Sequence, residues 1–74
     1  MKVTIEEQIK IGDGVYRPSV LGIYEMDQAP IKGEYIVLRA TAHIPYGRNF
    51  RVRERLFEID YKGTPSIILR VIKG

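Results

Sequence analysis

Three arginines, Arg51, Arg53 and Arg55, occupy alternate positions in the stretch RNFRVRERLF, and a fourth, Arg48, stands just ahead of them. A guanidinium group keeps its charge at any accessible pH and grips phosphates and carboxylates through paired N–H donors. Alternate residues of a strand share a face. The spacing therefore predicts a positively charged sheet surface that binds anions. Phosphate contacts of this kind give affinity and salt dependence but no base specificity.

No other constellation reaches the level of chemistry. His43 is the single histidine. As a general base it needs a nucleophile and an orienting carboxylate, and nothing at local spacing supplies them. His43 with scattered acids does not make a metal site. The segment GDGVYR (12–17) begins like a glycine-rich phosphate loop but lacks the third glycine and the following helix. Glu6 and Glu7 point to opposite faces of a strand and cannot act as a carboxylate pair. The expectation is a protein that is not an enzyme, with no catalytic residues, no cofactor and no metal.

The elements that must position the arginines read as strands. In KVTIEEQIKI, Val3, Ile5, Ile9 and Ile11 share one parity, interrupted by Glu7, and polar residues take the other. Gly12-Asp13-Gly14 reads as a hairpin turn. The second strand is VYRPSVLGIYEM, in which Pro18 marks an edge, bend or bulge. After the loop DQAPIKG comes EYIVLRATAHI, with Ile36, Leu38, Ala40, Ala42 and Ile44 on its apolar face. PYGRN turns the chain into a fourth strand running from Phe50 to Tyr61. KGTP turns it again into the last strand, SIILRVIK. Beta-branched residues dominate the apolar set, which suits a pleated sheet. The expected fold is a single all-β domain over residues 1–74, five-stranded, antiparallel and mostly a meander, closing as a small barrel or sandwich of SH3-like or OB-like size.

The fourth strand breaks parity. Phe50, Val52 and Leu56 share one face, whereas Phe57, Ile59 and Tyr61 share the other, and a regular strand cannot bury both sets. A β-bulge at Leu56-Phe57 repairs this. Pairing with the third strand then sets Ile44 opposite Phe50. The outer face would hold His43 opposite Arg51, Thr41 opposite Arg53, and Arg39 opposite Arg55, with Arg48 in the adjoining turn. Glu54 falls among the inward residues with only an ion pair to explain it. The expected nucleic-acid surface is thus Arg39, Arg48, Arg51, Arg53 and Arg55, with His43 beside them. Tyr35 and Tyr46 could stack on bases if exposed.

Charge is distributed unevenly. Residues 1–37 carry four basic and six acidic groups, for −2; residues 38–74 carry eight basic and three acidic groups, for +5. A polyanion, DNA or RNA, would meet the second half. Two other readings stay open: a solvated face whose arginine stems cover apolar neighbours, or a protein interface with acids across it. The last strand is apolar on both sides, with Ile67, Leu69 and Val71 on one and Ile68 and Ile72 flanking Arg70 on the other. Arg70 would pair with Glu58. Ile68, Ile72, Tyr35 and Val37 are the expected oligomer interface, so a homo-oligomer or a structural component, such as a small viral or phage protein, is the alternative function.

The chain has no cysteine, which fits a reducing cytosol or a virion assembled in one. Scarce amides and many charges lean toward a thermophilic source. No apolar run approaches the length of a membrane span. The tail RNFRVRERLFEIDYKGTPSIILRVI resembles the C-terminal hairpin of RelE-like toxins, in which a basic strand precedes one ending in an apolar run. That resemblance covers the last third of the chain. The helical N-terminal half of those ribonucleases has no counterpart, so the resemblance brings no residue roles with it.

Overall fold

A computed structural model describes residues 1–39 and 47–74. Five strands form one sheet: β1 (Lys2–Gly12), β2 (Val15–Glu25), β3 (Tyr35–Leu38), β4 (Arg48–Ile59) and β5 (Pro65–Lys73). The sheet is mixed and curls into a half-barrel, with strand order β2-β1-β5-β4-β3. The hairpins β1–β2, β3–β4 and β4–β5 are antiparallel, as the turn residues predict. Gly14 and Gly63 take the positive φ that these tight connections need. At the second turn the Asp60 carboxylate accepts hydrogen bonds from the N–H groups of Lys62 and Thr64, both at 2.9 Å.

The meander expectation fails at one joint. β1 and β5 pair in parallel, from Lys2 opposite Ser66 to Glu7 opposite Val71. This brings the chain's first and last strands together at the centre of the sheet. It leaves β2 and β3 at opposite edges. The segment 26–34 must then cross the sheet from one edge to the other, and it does so over the apolar face. Met26 N–H donates to the Met1 carbonyl at 3.0 Å, and Gly33 N–H donates to the Val52 carbonyl at 2.8 Å, anchoring both ends of the crossing.

The covered face holds the core. Val3, Ile5, Phe50, Val52, Ile67, Leu69 and Val71 are buried, with Leu21, Met26, Ala29, Ile36 and Leu38 packed against them. Period-two patterning accounts for each strand's contribution, because residues opposite one another in register point to the same side. Val3 lies beside Ile67 and Ile5 beside Leu69; Val52 lies opposite Val71.

Glu7 interrupts the apolar parity of β1, and the fold accounts for it. Its side chain points into the core face, where Arg48 Nη2 donates to its Oε1 at 3.1 Å. The same guanidinium lies 5.0 Å from the centre of the Phe50 ring. A carboxylate only 8% exposed is thereby compensated by charge.

Three register expectations are corrected: the β3–β4 pairing, the place of the bulge and the partner of Arg70. Ile36, not Ile44, stands opposite Phe50, and Tyr35, not His43, stands opposite Arg51. The β4 bulge lies between Val52 and Glu54, not at Leu56-Phe57. Arg53 is the extra residue: Val52 pairs with Val71 and Glu54 with Arg70, the next residue on β5. Glu54 consequently turns away from the core, to the outer face. Arg70 stands there between Glu6 at 3.6 Å and Glu54 at 3.5 Å, an ionic row across three strands. Glu58, the partner expected for Arg70, lies opposite Ser66 instead.

Candidate functional site

The bulge decides where each arginine goes. N-terminal to it, Phe50 and Val52 point into the core, so Arg51 projects from the outer face, between Ile72 of β5 and Tyr35 of β3. At the bulge, Arg53 and Glu54 both project from that outer face beside Arg70. C-terminal to it the phase reverses, and Arg55 stands opposite the buried Leu69. Arg55 therefore points to the core side. Arg48 is also on the core side, tied to Glu7. The predicted single row is split in two: Arg51 and Arg53 outside, Arg48 and Arg55 inside. Arg39 lies exposed just beyond β3 and has no pairing with Arg55. His43, Thr41, Ala40, Ala42, Ile44 and Tyr46, with the rest of the expected third strand, lie outside the described residues.

What remains outside is a smaller, denser site. Arg51, Arg53, Tyr35 and Lys32 line a depression of about 330 Å³. Its floor is the backbone of Val52 and Gly33, the latter with φ of 93°. Lys32 reaches it because the crossing segment pins to β4 at that point: Gly33 N–H donates to Val52, and Val52 N–H donates to Glu34 at 2.9 Å. Tyr35 is 67% exposed. Its ring lies across the Gly74 backbone, with two ring carbons 3.2 Å from where a Cβ on Gly74 would stand. The Arg53 guanidinium extends the surface the other way and sits 4.8 Å from the centre of the Tyr16 ring on β2. Lys10 pairs with Tyr16 in register and adds another cation on the same face.

The local acids are engaged elsewhere. Glu6 and Glu54 hold Arg70, Glu7 holds Arg48, and Glu25 holds the N-terminal amine at 3.2 Å. Glu34, nearest in sequence to the depression, accepts a hydrogen bond from the Ile31 N–H at 2.9 Å. Among the described residues, Arg51, Arg53 and Lys32 form no salt bridge. The cluster thus carries uncompensated positive charge, with one exposed aromatic ring and a second ring under a guanidinium.

The four residues expected at an oligomer interface share this outer face. Tyr35 and Val37 are exposed, whereas Ile68 and Ile72 are half-buried, packed beside Leu56 and Arg51. Sequence reasoning missed Lys32 and Tyr16. Both stand on elements far from β4 in the chain; the crossing segment brings Lys32 to it, and the curled sheet brings the Tyr16 ring within reach of Arg53. Among the described residues no cluster of acids or histidine suits a metal ion, and no helix is long and apolar enough to cross a membrane. No family model, curated protein or solved structure matches the chain.

Proposed function

We propose that the chain is a non-enzymatic nucleic-acid-binding domain that holds a single strand of DNA or RNA across the outer face of its sheet. The observation that carries this reading is the cluster of Arg51, Arg53 and Lys32, unpaired with carboxylates and flanked by the exposed Tyr35. Sequence-independent single-strand binding combines a cationic track for the phosphates with rings on which bases stack. Arg51 and Arg53 supply the first, Lys32 and Lys10 extend it, and Tyr35 supplies the second. The arginines and lysines address phosphates, so binding is expected to be weakly sequence-specific. A cytoplasmic setting, or a virion assembled there, follows from this reading and the lack of cysteine.

The test is a double substitution, Arg51→Glu with Arg53→Glu, in a gel-shift or anisotropy assay with mixed-sequence oligonucleotides. Loss of binding with an unchanged circular dichroism spectrum is the expected result; unchanged affinity would sink the proposal. A second reading, a structural protein that assembles through its sheet, draws on the many large apolar side chains left in solvent, such as Val20, Ile23, Phe57 and Ile59. It predicts stable oligomers and no oligonucleotide binding.

A further inference from the structure

The core face is unfinished at one end. Phe57 and Ile59 stand opposite Ile67 and Pro65, so they project from the side that carries the buried core. Yet they are 61% and 64% exposed. Ile31, on the crossing segment, is 56% exposed beside them. Phe57 and Ile31 edge a cleft of about 450 Å³ with Val3 and Ile67 at its base and Met1 and Met26 in its walls. Two charged side chains line it, Arg55 and Asp27. Neither forms a salt bridge among the described residues.

We infer that this cleft is a homodimer interface, in which a second copy of the chain, related by a two-fold axis, completes the core that one copy leaves open. Charge selects a second copy. A two-fold contact sets the same patch against itself. The patch carries one uncompensated cation and one uncompensated anion, so each copy's Arg55 meets the second copy's Asp27, twice over. Phe57, large and central to the patch, is the anchor. The arrangement leaves the outer faces of both copies open, pointing away from one another. It does not depend on nucleic-acid binding.

Sedimentation velocity on the full chain tests it. The wild type is expected to sediment as a dimer at tens of micromolar. Phe57→Glu is expected to be monomeric with an unchanged far-ultraviolet spectrum, because Phe57 is exposed in the single chain. Arg55→Asp and Asp27→Arg should each weaken association by about tenfold or more, as close interfacial charge pairs do. The double variant Arg55→Asp with Asp27→Arg should recover it, since each contact is then rebuilt with its signs exchanged. A monomeric wild type overturns the inference. So does a dimer that Phe57→Glu leaves intact, or single charge reversals that leave the mass unchanged. Arg51→Glu with Arg53→Glu should not alter the mass, so failure of the binding function and failure of the dimer register separately.

Discussion

The arginines of β4 and β5 have different fates, and their neighbours set them. Arg70 is held between Glu6 and Glu54, Arg48 serves the buried Glu7, and Arg51 and Arg53 form no salt bridge among the described residues. Removing Arg48 should therefore act on stability and not on binding. Arg48→Ala leaves the Glu7 carboxylate buried without its cation, at a cost of about 1–3 kcal/mol. The half-exposed position of Arg48 argues for the lower part of that range. Urea denaturation is the check: a lower midpoint with unchanged slope is expected. Replacing both partners, Glu7→Leu with Arg48→Met, should recover most of the loss, because a matched apolar pair needs no compensation. A double variant as unstable as the single would mean that Arg48 acts through its packing on Phe50 instead.

At the scale of elements, the bulge of β4 is the device that sorts the arginines. Deleting Arg53 leaves every observed β4–β5 partner in place, since Val52 already pairs with Val71 and Glu54 with Arg70. That deletion should fold with the native spectrum and bind oligonucleotides more weakly. Deleting Arg51 instead brings Arg53 toward the buried site of Val52, and that chain should not fold. Thermal melts of the two deletions separate these outcomes. The need for a bulge was legible in the sequence, because Phe50 and Val52 clash in phase with Phe57 and Ile59. Its position was not. Leu56 reads as a core residue, and placing it inside pushed the phase change three residues too late; it lies half-buried on the outer face opposite Ile68. The strands and turns were equally legible from alternation and from glycine. The parallel pairing of β1 with β5 was not, because no local pattern reports which distant strand a central strand will meet. The third strand's register was lost for a related reason: its alternation runs on well past Leu38, and several alignments with β4 satisfy it.

At the scale of the whole molecule, a thin sheet divides two kinds of surface. The outer face gathers Arg51, Arg53, Lys32 and Lys10 around tyrosines, while the core face runs out into the open cleft at Phe57. The uneven charge of the two halves pointed to the region of the outer arginine cluster. It could not foresee that Lys32, from the acidic half, joins that cluster by way of the crossing segment. With about three phosphates neutralised on a single strand, the logarithm of the binding constant should fall with a slope near −2 against the logarithm of salt concentration. Tyr35→Ala should weaken binding by about 1–3 kcal/mol without changing that slope, because stacking carries no counterions.

The measurement that bears most directly on the account is fluorescence anisotropy of a labelled mixed-sequence single strand, titrated with wild-type protein and with the Arg51→Glu, Arg53→Glu variant across a series of salt concentrations. Saturable binding by the wild type, a steep loss of affinity with salt, and no binding by the variant are expected. Wild-type protein that fails to bind at low salt, or a variant that matches it, would contradict the assignment of the outer arginine cluster to nucleic acid.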